Sequence, residues 1–384
     1  MKHLKQVIAK IISSFVPSKH KTATYQKIAG YSFSDKQELN RFINTPIKDN
    51  SVLLIETNRC HGEVISAYWK YLIDAGFNVD ILIHNYLYQE PHFSRHNTSD
   101  INIFHCDTTG MHNILKSEKT SKYQHIIIMT PMNYTFETQP VLKLFPELKK
   151  FKNLHLICHN TPDIEDYYSD FDKSHIFGLG RRLKSFPCTN PHLFGDIKKN
   201  DKKHNTTTFI TVGGINPQRK NHTILIESIK KLAEKNYDFK VIVVGGGKKI
   251  KNIPNNIKKH IILTGRQIGE KMFQYMEQSD FFLTLWDSKN NSHYKTNTVS
   301  GSPQLIYGFN KIPILEQSFA DFYDFNEENS ILYTGDNLSS AMETAIKMNN
   351  QEYKDKFDAL KITATDIYNE SLQNIKNTLK IGTL

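Results

Sequence analysis

The chain has 384 residues, 39% hydrophobic and 11% aromatic, which exceeds one ordinary core and fits two domains of soluble, globular type. No run approaches the ~20 apolar residues that cross a bilayer. Cys60, Cys106, Cys158 and Cys188 stand far apart without a CxxC, so a zinc site and a disulfide framework are excluded and a reduced cytosolic chain is expected. The formal charge of +10 comes from scattered lysines among many Asn and Ile, with no zinc-finger or RNA-recognition motif, so no nucleic-acid partner is expected.

Residues 1–48 form a basic N-terminal segment. Leu4, Val7, Ile8, Ile11, Ile12 and Phe15 recur at helical spacing, and Pro17 ends the stretch. Lys2, Lys5, Lys10, Lys19, Lys21 and Lys27 precede the first acidic residue. Lys10 interrupts the apolar region and no small-residue cleavage site follows, so this is not a signal peptide. Two readings stand. The helix lies in the interface of an anionic membrane, each cation worth ~1 kcal/mol there, or it packs on its own domain.

From 49 to 198 the pattern predicts a first α/β domain. Strands are expected at 51–56, 77–84, 101–107, 125–130, 154–160 and 175–180, as apolar runs separated by helical ones. Ile65, Tyr68, Trp69, Leu72 and Ile73 make a helical stripe, and Gly76 sits where a helix ends. Continuous apolar strands alternating with helices mean a parallel sheet covered on both faces. "ETNRCHGEVISAYW" (56–69) places His61 and Gly62 between a strand and a helix. The intrinsic pKa of His61 suits it to take a proton from an acceptor hydroxyl, and Glu63 stands ready to orient it or to serve instead. The alternative is a surface or core histidine. "CHNTPDIED" (158–166) sets His159, Asn160 and Asp163 after another buried strand, either to bind ligand hydroxyls or to cap the next helix.

"GDIKKNDKKHNTTT" (195–208) lacks periodicity and reads as a linker. A second α/β domain is expected over 199–350, followed by a helical segment over 351–384. Together the two halves predict two doubly wound, Rossmann-like domains facing a cleft, with ligand beyond the strand carboxyl ends. "FITVGGINPQRKNH" (209–222) ends a strand in Gly213 and Gly214 and puts Arg219 and Lys220 just before a helix. Cations are disfavoured at that end of a helix unless an anion compensates, so this turn is read as a phosphate pocket. "VVGGGKK" (243–249) and "LTGR" (263–266) repeat the theme with Gly245, Gly246 and Arg266. In "YKTNTVSGSPQLIYGFNKIPIL" (294–315), Ser300, Gly301 and Ser302 open a helix at Pro303, with Lys295 close by, as a cradle for a diphosphate. Glu316 and the stretch 319–325 follow the next strand and are expected to shape a nucleotide pocket.

This order of strands and turns over most of 205–335 resembles the carboxyl-terminal half of GT-B-fold glycosyltransferases. It is most similar to the retaining group that includes lipopolysaccharide and capsule enzymes. The resemblance implies that Gly213, Gly214, Arg219 and Lys220 hold the phosphates of a nucleotide sugar, and that Gly301 and Pro303 are the group's GxP. It also implies that Gly62, in the first loop, lets the donor phosphate approach. The group carries two acidic residues around the GxP, whereas this chain has Thr298 and Ile306 at those places, neither a carboxylate acceptor. The expected function is transfer of a hexosyl-type sugar from a nucleotide-diphosphate sugar to a cell-surface glycan or lipid-linked acceptor, in lipopolysaccharide or capsule polysaccharide biosynthesis. No cofactor or metal is expected, and the chain is placed in the cytoplasm, peripheral to the inner face of the cell membrane. Two alternatives share the architecture: a nucleotide-sugar 2-epimerase-like enzyme, and a non-catalytic scaffold subunit favoured by the missing acidic pair.

Overall fold

A computed structural model describes residues 35–58, 61–88, 93–133, 139–181, 183, 185–216, 219–247, 250 and 253–379. The N-terminal amphipathic stretch up to residue 34 lies outside them. By contacts, the chain divides into two units. The first holds the described residues of Met1–Gly62, Gly76–Glu90 and Ser99–Leu156; the second holds those of Glu63–Ala75, Pro91–Thr98 and Ile157–Leu384.

Helix α1 (Asp35–Asn44) precedes β1 (Ser51–Glu56), α2 (Gly62–Asp74), β2 (Asn78–His84), β3 (Asn102–Cys106), α3 (Thr108–Lys116) and β4 (His125–Ile128). Then come β5 (Leu154–Cys158), α4 (Thr161–Tyr167), β6 (Ile176–Leu179) and β7 (Cys188–Thr189). These strands form a sheet in the order β3-β2-β1-β4-β5-β6-β7. Strand β1 runs parallel to both β2 and β4, with Val52 opposite Val79 on one side and His125 on the other. Every residue of β1 is buried, as an unbroken apolar run in a covered parallel sheet requires. The polar exceptions are satisfied: buried Asp80 accepts from Tyr123 Oη (2.5 Å) and from Asn102 Nδ2 (2.8 Å). On α2, Tyr68, Trp69 and Leu72 are buried as their spacing predicts, but Ile73 is 37% exposed and falls outside the stripe.

The second sheet is built from β8 (Thr207–Val212), β9 (Phe239–Val244), β10 (Ile261–Gly265), β11 (Phe281–Leu283), β12 (Ile312–Glu316) and β13 (Ile331–Tyr333). Its order is β10-β9-β8-β11-β12-β13, all parallel. The intervening helices are α5 (His222–Glu234), α6 (Glu270–Glu277), α7 (Ser302–Phe309), α8 (Leu338–Lys347) and α9 (Asn350–Thr378). In each sheet the first strand in sequence has its successors on one side and later strands on the other. Such a reversal opens a crevice at the strand carboxyl ends, here between β1 and β4 and between β8 and β11. The protein is thus two parallel-sheet α/β, Rossmann-like domains.

The segment over 195–208 is pinned rather than free, despite its unpatterned sequence. Fully buried Asp280 accepts from the His204 and Thr208 backbone N–H groups (2.9 and 2.8 Å). Lys203 Nζ donates to the carbonyls of Ile346 and Met348 at the end of α8 (2.7 and 2.6 Å), where a cation complements the helix dipole. Helix α9 opens on a capping box, Asn349 with Glu352.

Candidate functional site

The turn that leaves β8 is laced to its neighbours by backbone hydrogen bonds. Gly213 N donates to Val244 O (2.9 Å), Ile215 N to Gly246 O (2.8 Å) and Gly245 N to Gly265 O (3.0 Å). The carboxyl ends of β8, β9 and β10 therefore meet, and with them Gly213, Gly214, Gly245, Gly246 and Arg266. Two glycines are obligatory. Gly213 has φ +135°, and a Cβ on Gly245 would stand 1.8 Å from Gly213 O. Arg266 packs its Cβ side against Gly246.

Arg219 and Lys220, adjacent in sequence, are split by the fold. Arg219 is exposed at the turn. Lys220 is 6% exposed, donates from Nζ to Thr284 O (2.9 Å) across the β8–β11 crevice, and lies 5.8 Å from the Phe282 ring centroid. Among the described residues no carboxylate pairs with it, and burial pushes its pKa down to about 7. The next residue, Asn221, caps α5 by accepting from Ile224 N (3.1 Å), and its own N–H donates to Leu285 O (2.8 Å). Leu285 holds φ +54°, a conformation that a branched side chain rarely adopts. At the first helical position, His222 Nδ1 is buried without a hydrogen-bond partner. Burial, then Lys220, holds the imidazole pKa down at about 4. A buried lysine with no counter-ion among the described residues thus sits at the positive end of a 13-residue helix, beside a glycine turn. A lysine so placed, at a helix N-terminus beside exposed glycines, has the chemistry to pair with an anion. Tyr294 flanks it: burial raises the phenol pKa, and the Arg219 charge opposes that rise.

The turn at Ser300, Gly301 and Ser302 is bonded within itself. Ser300 and Ser302 are buried, and Ser302 N donates to Ser300 Oγ (3.3 Å). Gln304, with its amide nitrogen turned inward, donates to the carbonyls of Ser300 and Gly301 (2.9 and 3.1 Å). Ser300 Oγ is thus engaged within the turn, and Gly301, with open space where a Cβ would be, is its exposed member. Lys295 Nζ donates to Ser318 Oγ (2.6 Å) and covers the Phe319 ring at 4.4 Å. Ser318 Oγ in turn donates to Glu316 Oε1 (2.7 Å), while Glu316 Oε2 accepts from Ser288 N (2.7 Å). Glu316 thus presents a carboxylate at the end of β12.

Thr298 stands where the resemblance called for an acid, and its hydroxyl donates to Asn160 Oδ1 (3.0 Å). An antiparallel bridge joins these two residues, Val299 N donates to His159 O (3.2 Å), and Thr161 N donates to Asn297 O (2.9 Å). His159 and the Ser300 turn are therefore neighbours within the second unit. Ile306 is fully buried in the core under α7 and is out of reach of any ligand.

In the first unit, His61 occupies the loop after β1 with φ +66°, again unusual for a residue with a side chain. Gly62 begins α2 and Glu63 lies in its first turn. The loop is anchored by Glu56, which is 1% exposed: Oε1 accepts from Asn58 N (2.7 Å) and Oε2 from Thr130 Oγ1 (2.6 Å). Glu56, Asn221, Leu285 and the Thr298–Asn160 bond carry no sequence signal, because their partners are set by the tertiary fold. Among the described residues, no group of three His, Cys, Asp or Glu side chains is placed to hold a metal ion.

The family described as glycosyl transferases, group 1, matches residues 206–287, the span that contains the β8 turn, Lys220 and Arg266. No curated protein matches the sequence. Among solved structures, the chain is similar to a glycosyltransferase from Rickettsia africae (TM-score 0.55, 13% identity, covering 87% of this chain and 100% of that one). It is similar also to an α,α-trehalose 6-phosphate synthase from Burkholderia multivorans (0.53, 7%, 86% and 98%). An α-glucosyltransferase in complex with UDP and a DNA 13-mer gives 0.52 at 12% identity over 85% of this chain and 95% of that one. At these identities the likeness is one of fold, that of GT-B glycosyltransferases.

Proposed function

We propose that the chain is a glycosyltransferase that moves a sugar from a nucleoside-diphosphate sugar to a cell-surface glycan or lipid-linked acceptor. The observation that carries this reading is Lys220: a buried lysine without a carboxylate partner among the described residues, at a helix N-terminus beside Gly213, inside the segment matched by group 1 glycosyl transferases. In the proposed reaction a bond forms between the acceptor oxygen and the anomeric carbon. The bond from that carbon to the phosphate oxygen breaks, and the diphosphate leaves with the electron pair. Its growing negative charge is stabilised by Lys220, Arg219, Arg266 and the α5 N–H groups, fixed before the reaction starts. His61 is the proposed acceptor of the hydroxyl proton, Glu63 its orienting partner, and His159 a contact to sugar hydroxyls. Glu316 is the proposed carboxylate for donor hydroxyls, since Thr298 and Ile306 supply none.

Kinship to the retaining lipopolysaccharide and capsule enzymes, and a hexosyl donor, belong to the same proposal. The matching order of the Gly213 turn, Lys220 and Gly301 with Pro303 supports them. A place at the cytoplasmic membrane face rests on the basic, apolar spacing of residues 1–34. Incubating the pure chain with a panel of nucleotide sugars tests the function. Transfer, or slow hydrolysis of one donor, supports it; isomerisation of the donor sugar replaces it with an epimerase, and no nucleotide binding replaces it with a scaffold.

A further inference from the structure

A cavity of about 500 Å³ opens among α2, the segment 192–199 and α9, and it shares no lining residue with the β8 turn. Its charged lining is mainly cationic: Lys70, Lys199 and Lys361 against the single carboxylate Asp74. Lys70 is paired with Asp74, whose other oxygen accepts from Tyr368 Oη (2.7 Å). Among the described residues, neither Lys199 nor Lys361 forms an ion pair with a carboxylate, and both are exposed at the mouth of the space. Partial desolvation and then the neighbouring Lys361 charge hold Lys199 below the ordinary lysine value, although the side chain still reaches solvent. His96 also lines the space, with Nε2 buried and without a hydrogen-bond partner. Burial, then Lys70, keeps its ring neutral, its pKa pulled to about 4. His192, 5% exposed, spends Nδ1 on Asn190 O (2.7 Å) and adds no negative charge. Phe194 and Ala364 supply apolar wall.

Two like charges facing one hollow repel each other unless an anion enters between them. The volume lies in the range of small-molecule sites, and charge-assisted hydrogen bonds from lysines favour a phosphate dianion. We propose that this cavity is a second anion site, taking a phosphomonoester of monosaccharide size between Lys199 and Lys361, with the His96 ring in its wall. The occupant would tie α2, the 192–199 segment and α9 together, which makes it an effector or acceptor-recognition site apart from the donor turn.

The test is calorimetric titration of the full chain with glucose 6-phosphate, glucose and inorganic phosphate. Glucose 6-phosphate is expected to bind most tightly, inorganic phosphate less so, and glucose not at all. Lys199→Gln with Lys361→Gln should weaken glucose 6-phosphate at least about tenfold while leaving the thermal unfolding midpoint of the free protein unchanged. The His96 ring resonances, assigned by His96→Asn, should shift on binding. Lys220→Met should leave this affinity intact, which separates the site from the donor turn and from the proposed transferase reaction. The proposal is overturned by absence of binding, by equal affinity in the double glutamine variant, by glucose or free phosphate matching glucose 6-phosphate, or by loss of binding in Lys220→Met.

Discussion

Replacing Lys220 with methionine should make the free protein more stable and the nucleotide-bound protein impossible to form. Depressing an ammonium from 10.5 to about 7 costs the native state roughly 4 kcal/mol at neutral pH, at ~1.4 kcal/mol per pH unit. Methionine keeps the length and the contact with Phe282 but leaves Thr284 O without its donor, a loss of ~1–3 kcal/mol. The net gain should be about 1–3 kcal/mol. The sign with pH follows from linkage. Between about 7 and 10.5 the unfolded chain binds the Lys220 proton and the folded chain does not, so native stability rises with pH across that window. The advantage of Lys220→Met is therefore widest below about pH 7 and closes toward pH 10. Urea unfolding followed by circular dichroism at about pH 6 and about pH 9.5 measures both values. A variant less stable than the parent by the same amount at both pH values, or one that still binds nucleoside diphosphate, refutes the reasoning.

Four further outcomes are expected. His61→Gly should lower kcat by about 10²–10⁴-fold with nucleotide binding intact, read by steady-state transfer assays. His61→Ala should be less stable than His61→Gly by ~1 kcal/mol, because alanine is strained at φ +66°. Gly245→Ala should destabilise by ~1–3 kcal/mol and abolish nucleotide-induced thermal stabilisation, since the new methyl collides with Gly213 O. Glu316→Gln should raise the donor KM about tenfold with little change in unfolding midpoint, the amide keeping the Ser288 contact but losing the charge-assisted bonds to donor hydroxyls.

The central strands were legible because they are buried on both faces and read as apolar runs between turn residues, which is why β1, β2, β5, β9 and β12 lie where periodicity places them, whereas the edge strand β10 leaves Ile262 and Leu263 exposed. Strand β11 is shorter than its run "DFFLTLWD" implies, since Leu285 turns into positive φ to meet Asn221. Local pattern also fails where a side chain's partner is remote. Arg219 and Lys220 look alike in sequence, yet one is exposed and the other spans to Thr284, 64 residues on. Asn160 and Thr298 meet across 138 residues, so nothing near Thr298 announces what occupies an expected acidic position. The linker reading of 195–208 overlooked Asp280 and the α8 carbonyls, both supplied from far along the chain.

The central claim, that a pyrophosphate becomes the missing counter-ion of Lys220, is tested most directly by calorimetry of the full chain with UDP, GDP, CDP and ADP. The titrations are run near pH 8 in two buffers of different ionisation enthalpy. One of the four should bind with uptake of about one proton, because the anion restores the lysine pKa above the solution pH, and the uptake should vanish in Lys220→Met. Binding with no proton uptake, or no binding by any of the four, would contradict it.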